Sequence, residues 1–297
     1  MPSFPPDFIV GCGDIGLRLA RRLIAEGTPV AALARSHERA KALESAGIMP
    51  SLGDLDDTAP PLSLPGGIEI LYYLAPPPPS GITDPRIVRV LSALKVVPKR
   101  LIYISTSGVY GDCEGAWIDE TAPLLPKTDR ARRRLAAENE VRDYGLRTSC
   151  EVLVLRVPGI YGDGRLPETR IRQGLPVIDP LEAPFSNRIH ADDLAEACLK
   201  ARHAGTPGQA YNISDGQPST MTDYFWQVAD HLKLPRPPAI PLAEARKVLT
   251  PAMLSFLDES KRLDNRKMRE ELGVVLRYPT LSEGLKAVSQ HPEPFSV

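Results

Sequence analysis

Short apolar runs alternate with amphipathic stretches through the first half of the chain. Phe8 to Val10 (FIV) leads into IGLRLARRLIAEG, which predicts a helix with Ile15, Leu19, Leu23 and Ile24 on one face. VAALA, residues 30–34, is the next apolar run, and HERAKALESAG has a helical pattern. A third short strand is expected before GDLDD, and IEILYYLA, residues 68–75, reads as the fourth. The helical pattern DPRIVRVLSALKV precedes the strand RLIYIS, residues 100–105. DRARRRLAAENEVRDYG then precedes the strand CEVLVLR, residues 150–156. Strands that alternate with helices, and that are apolar along their whole length, predict an α/β fold: a doubly wound parallel sheet of the Rossmann type.

After Arg156 the rhythm weakens into loops and short helices, among them a helix in HADDLAEACLKAR and a strand in AYNIS. The expected division is a nucleotide-binding domain over 1–156 plus about 189–215, with a smaller, mostly helical substrate lobe over about 157–188 plus 216–297. AYNIS is placed to return to the main sheet.

Composition narrows the function classes. The 36 Lys and Arg against 37 Asp and Glu give no general field for nucleic acid. Cys12, Cys113, Cys150 and Cys198 show no metal-ligand spacing, and such scattered thiols suit a reducing, cytoplasmic setting. MPSFPPDFIV lacks a signal-peptide pattern, and no segment approaches the roughly 18 apolar residues of a membrane span. The proline run APPPPS reads as a stiff connector.

Gly11-x-Gly13-x-x-Gly16 directly follows the first strand and opens the first helix, the context in which this spacing binds a dinucleotide. Gly11 allows the tight turn, Gly13 lets backbone approach a pyrophosphate, and Gly16 lets the helix pack against the strand. With Asp14 and Ile15 in the first helical turn, free N–H groups face the phosphate charge. At the end of the second strand an NAD site usually presents an acid. Here stand Arg35, Ser36 and Arg39, and Arg35 is suited to pair bidentately with a 2′-phosphate. NADP is therefore the expected cofactor, with NAD possible; the competing reading makes Arg35 a solvated loop cation. Asp54 and Leu55 of GDLDD are placed to flank an adenine, and Leu74 and Ala75 to line the nicotinamide side.

With YISTSGVYGD added to that loop, the chain resembles an extended short-chain dehydrogenase/reductase of the NAD(P)-dependent epimerase/dehydratase family. YLAP, LRVPGIYGDGR, RIHADDLAEA and GQAYNISDGQPSTMTDYF resemble further family segments in the expected order. The resemblance implies a Ser or Thr that holds the reacting oxygen, a Tyr acid/base, a Lys four residues on, and hydride exchange with nicotinamide. Thr106 falls on the Ser/Thr position. Ser107 and Gly108 stand where a dehydratase carries Asp-Glu, which argues against the usual sugar-nucleotide dehydration.

The departure lies in PKTDRARRRLAAE. Aligning the family's helix on Glu138 puts Arg134 at the Lys position and Arg130 at the Tyr position. A guanidinium offers donors only and cannot abstract a proton. Arg130 and Arg134 are thus expected to bind ribose, phosphate or carboxylate. Tyr144 is too far along the helix to substitute.

Arg130, Arg132, Arg133 and Arg134 cannot share one helical face, so at least two should be surface residues, and Arg134 with Glu138 has the spacing of a weak i,i+4 pair. Tyr110, Arg165 and Arg188 are placed at the substrate; for the arginines the competing role is an interdomain ion pair, and for Tyr110 and Tyr161, the candidate proton carriers, the favoured role is packing with the hydroxyl bonded locally. His190 is more suited to a structural role, and Asp192 to capping a helix. The expected function is that of an NAD(P)-dependent oxidoreductase or epimerase-like protein, NADP-preferring, acting on a small anionic substrate such as a sugar nucleotide. The alternative is a catalytically silent NADP-binding sensor. A homodimer is a further expectation from the resemblance.

Overall fold

The computed structural model describes residues 7–57, 59 and 61–288. Both ends of the division expected above, residues 1–6 and 289–297, lie outside the described residues.

Seven strands build the central sheet. β1 (Asp7–Val10), β2 (Val30–Ala34), β3 (Met49–Leu52), β4 (Ile70–Tyr73) and β5 (Arg100–Thr106) are joined by Glu151–Val157 and Ala210–Asn212. Their spatial order runs Ala210–Asn212, Glu151–Val157, β5, β4, β1, β2, β3, and every pairing is parallel. The chain thus winds outward from β1 in both directions, and the order reverses between β1 and β4. At such a reversal the connections leave in opposite directions and open a crevice at the carboxyl ends of the strands.

Continuous apolar strands follow from burial on both faces. In β5, Ile102 and Ile104 pack into one cluster with Leu19 and Leu23 of α1 (Asp14–Ala25) and with Leu194 and Cys198 of the Ala191–Lys200 helix. Leu101 and Tyr103 point the other way, toward Ile87 and Val90 of α3 (Pro85–Ala93) and Val141 of α4 (Asp129–Thr148). Ile24 corrects the expected face of α1: one residue past buried Leu23, it is rotated outward by about 100° and is exposed. α2 (His37–Ser45) begins at Ser36, whose hydroxyl accepts from the Arg39 amide, a standard N-cap.

AYNIS does return to the sheet as Ala210–Asn212. The remainder forms short helices, with Met221–His231 the longest of those that follow the sheet's last strand, stitched by two-stranded ladders. Between residues 157 and 188 ladders and loops dominate, with one five-residue helix, Glu168–Arg172, so this part is less helical than expected. RIH, read as part of a helix start, is a strand paired with Gly159–Tyr161. No described helix is long and apolar enough to cross a membrane. The four cysteines are unpaired thiols.

Candidate active site

The glycine loop sits at the sheet's reversal point. Gly11 has φ +88°, and a Cβ there would lie 2.3 Å from the Ala75 nitrogen. The loop therefore passes directly over the end of β4. A Cβ on Gly13 would meet nothing within 4 Å, so the space above it is open to a ligand. A Cβ on Gly16 would press on the Gly11 carbonyl and the Ile9 side chain, which fixes how closely α1 lies on β1. No side chain caps α1, and its first N–H groups face the open space. These residues fit a dinucleotide pyrophosphate.

Asp14 is the unusual member of this loop, a carboxylate where anionic phosphate is expected. The structure compensates it: Arg18 Nε lies 2.7 Å from one oxygen and Arg165 Nε 2.6 Å from the other. Arg18 also binds Asp192 at 2.8 Å. Arg165, expected at the substrate, is therefore committed to an ion pair with the cofactor loop. Asp192 does not cap its helix either; the His190 Nδ1 accepts the Asp192 amide, and burial pushes the pKa of His190 down.

On the ribose side, Arg35 is exposed and Ser36 is occupied as the cap of α2. Arg39 reaches back across the loop, and its Nη2 donates to the Cys12 carbonyl. Two cations thus flank the end of β2. Asp54 accepts the amide of Asp56, a local turn, and Leu55 packs against the core.

The arginine helix α4 starts at Thr128, whose hydroxyl accepts from the Ala131 amide. Arg132 is exposed and paired with Asp129, and Arg130 is exposed on the cleft wall. Arg133 is buried instead, with Nη1 2.6 Å from the Gly81 carbonyl, and so anchors the loop that begins with the proline run. Arg134 reaches the ends of β4 and β5: its Nη1 lies 2.9 Å from the Ile104 carbonyl, 3.3 Å from that of Ala75 and 3.4 Å from the Tyr103 hydroxyl. The expected Arg134–Glu138 pair does not form, because Glu138 points into the core.

There Glu138, fully buried, binds Arg156 Nη2 at 2.9 Å and accepts the Ser105 hydroxyl. Arg156 Nη1 donates to the Tyr110 hydroxyl at 2.9 Å, and that hydroxyl donates to Asn212 Oδ1 at 2.7 Å. This network ties α4 to three strands of the sheet. It also corrects the expectation for Tyr110, which is 1% exposed and buried below the cleft rather than on its wall. Burial pushes its pKa up to about 12.

The cleft itself, about 460 Å³, opens beyond the ends of β5 and Glu151–Val157. That is within the usual size of a small-molecule site. Thr106, at the end of β5, lines it; its Oγ1 accepts the Gly108 amide, which leaves the O–H free to donate. Arg188 lines the opposite wall. It is 5% exposed, donates to Ser186 and Ser219 hydroxyls and the Thr220 carbonyl, and stacks 4.3 Å from the Tyr224 ring. Among the described residues it makes no ion pair, although the Asp215 and Asp223 carboxylates lie near enough to act on its charge. Burial pushes the neighbouring Asp215 carboxyl up to about 6, against the opposing pull of the Gln217 amide and of Arg188.

The tyrosines that line the cleft are Tyr161, whose hydroxyl lies 3.4 Å from the Thr280 carbonyl, and Tyr224, whose pKa burial pushes up to about 12. Tyr224, Glu259 and Lys261 escaped sequence reading: DESKR has the look of a solvated charge run, and nothing local distinguishes it.

Residues 85–214 match the NAD dependent epimerase/dehydratase family. A functionally unknown conserved protein from Silicibacter pomeroyi shares 30% identity, with a TM-score of 0.81 over 96% of this chain and 98% of that one. The dTDP-D-glucose 4,6-dehydratase of Mus musculus is 30% identical over 134 residues, 42% of this chain, and the match spans only 38% of that enzyme's length. The UDP-glucose 4-epimerase of Thermotoga maritima, solved with UDP-glucose, has the same fold: TM-score 0.73 at 17% identity, covering 95% of this chain and 96% of that one. Sheet order, glycine loop and these likenesses agree, and the chain belongs to the NAD dependent epimerase/dehydratase family.

Proposed function

We propose that this protein binds NADP(H) and acts on a small anionic substrate, a sugar nucleotide, as an oxidoreductase or epimerase with a modified proton-transfer site. The observation that carries the substrate class is Arg188, a buried guanidinium on the cavity wall whose hydrogen bonds go to hydroxyls and a carbonyl, with no ion pair among the described residues. Leaving a charge so buried is costly unless a ligand anion completes it. The dTDP-glucose and UDP-glucose enzymes among the similar proteins favour a nucleoside diphosphate as that anion.

The bound dinucleotide would supply hydride chemistry. Gly11, Gly13 and Gly16 would hold its pyrophosphate, Arg35 and Arg39 its 2′-phosphate, and Asp54 with Leu55 its adenine. Arg134, whose Nε and Nη2 take no part in the bonds to the strand ends, would hold the nicotinamide ribose. Leu74 and Ala75 would form the wall behind it. Thr106 would donate to the reacting oxygen, and Arg130 would meet negative charge at the cleft mouth. None of these arginines removes a proton.

That same deficit favours the second reading, a silent NADP-binding sensor: no tyrosine of the cleft wall is acidified by a neighbouring lysine.

Titration calorimetry with NADPH and NADH checks the cofactor. Arg35→Ala and Arg39→Ala are each expected to weaken NADPH about tenfold or more, the value of a charge-assisted phosphate bond, and to leave NADH nearly unchanged. Equal losses for both cofactors would refute the 2′-phosphate assignment. Product analysis with UDP-glucose then separates the readings. Turnover abolished by Thr106→Ala supports the enzyme; tight cofactor binding without turnover supports the sensor.

A further inference from the structure

We infer that Arg86 protects the cofactor preference of this protein: it occupies the Asp56 carboxylate and so keeps Arg35 available to a 2′-phosphate. The inference rests on the NADP reading above. Asp56 lies in the loop that follows β3. At the start of that loop the Gly53 amide donates to the carbonyl of Ala34, the residue before Arg35. The loop therefore runs beside the end of β2. The Arg86 guanidinium holds the Asp56 carboxyl below the usual carboxylate range, and Arg35 and Arg89 are close enough to act in the same sense.

Arg86 meets the carboxylate as a fork: Nε lies 2.7 Å from Oδ1 and Nη2 2.5 Å from Oδ2. Its Nη1 donates to the Pro76 carbonyl at 2.9 Å, which fixes the guanidinium from its other end. The arginine side chain is 17% exposed and the aspartate 59%, so the cation is the anchored partner and the carboxylate the one able to turn. Asp56 adjoins Asp54 and Leu55, the residues proposed to flank the adenine. Released there, it would act twice against NADP: it would pair with Arg35, and its charge would repel the 2′-phosphate. NAD would not suffer, because its ribose hydroxyl is neutral and a carboxylate beside it is what NAD sites use. The two opposing determinants thus stand together, and a bidentate pair, the stronger geometry for a guanidinium and a carboxylate, keeps one of them silent.

Calorimetry of NADPH and NADH with wild type, Arg86→Met, Asp56→Asn and the double variant tests this. The cap of α3 survives in all four, because Asp84 Oδ1 accepts the Arg86 amide and not its side chain. Arg86→Met is expected to weaken NADPH about fivefold and NADH by less than about twofold. Asp56→Asn removes the competitor and should bind NADPH at least as tightly as wild type. The double variant should return NADPH to within about twofold of wild type, a rescue that a mere brace for the Pro76 loop does not give. Unchanged NADPH affinity in Arg86→Met, equal losses of both cofactors, or a double variant no better than Arg86→Met would each overturn the inference while the NADP reading stands. If wild type binds NADH as tightly as NADPH, the NADP reading fails and takes the inference with it.

Discussion

Replacing Glu138 by Ala should destabilise the protein by about 3–5 kcal/mol, the cost of stranding one partner of a buried ion pair. Arg156 is 3% exposed and would keep its charge with only the Tyr110 hydroxyl and the Glu120 carbonyl as partners. Urea unfolding followed by circular dichroism measures the loss, and the midpoint should fall without a large change in slope. Removing both charges, Glu138→Leu with Arg156→Met, should recover much of the loss, because neither variant side chain then demands a partner. If Glu138→Ala unfolds within about 1 kcal/mol of wild type, water reaches this site and the network is not what fastens α4 to the sheet.

The glycine loop offers the second large effect, and it separates stability from binding. Gly11→Ala would place a Cβ 2.3 Å from the Ala75 nitrogen and 2.5 Å from its Cα, at φ +88°. Both contacts are with backbone, so β1 and β4 would have to part at their ends. Strain of about 1–3 kcal/mol from the dihedral adds to about 1–3 kcal/mol from overpacking. Gly13→Ala meets no atom within 4 Å and should leave stability within about 0.5 kcal/mol of wild type. Its methyl group nevertheless enters the open space proposed for the pyrophosphate. NADPH affinity should therefore drop at least tenfold in both variants, but the melting temperature only in Gly11→Ala. A Gly13→Ala protein that binds NADPH as wild type does would remove the pyrophosphate from this loop.

The sheet was legible because its signals are local. Apolar runs such as RLIYIS can only be strands covered on both faces, and the glycine spacing carries its own geometry. Ser36 was read for the cofactor instead, although its capping of α2 depends only on Arg39, three positions away. Side-chain direction was less accessible. Helical spacing says that Arg132, Arg133 and Arg134 point apart, but not that Arg133 turns inward to Gly81, 52 positions earlier. Packing was the favoured role for Tyr110, but not its partner: the hydroxyl bonds Asn212, 102 positions away, which holds the ring beneath the cleft. Glu138 offered two partners, a near one on its own helix and a distant one on a strand; burial favoured the distant Arg156. Glu259 and Lys261 are held at the cleft by distant partners, among them the pairing of Arg262–Leu263 with Trp117–Ile118 and the bonds to Gly111 and Asn187, contacts with no trace in any one segment alone.

Asp14 puts a carboxylate, paired with Arg18 and Arg165, into the glycine loop. A carboxylate beneath an incoming polyanion is tolerable only while it is neutralised, and one of its two guanidinium partners, Arg165, arrives from the polypeptide that leads away from the sheet toward the outer lobe. Swinging that segment outward would leave Asp14 with Arg18 as its one remaining guanidinium partner among the described residues. If a dinucleotide binds over this loop, its retention and the Arg165–Asp14 pair would be linked: each would favour the other by the same free energy, and salt concentrated enough to loosen one should loosen both.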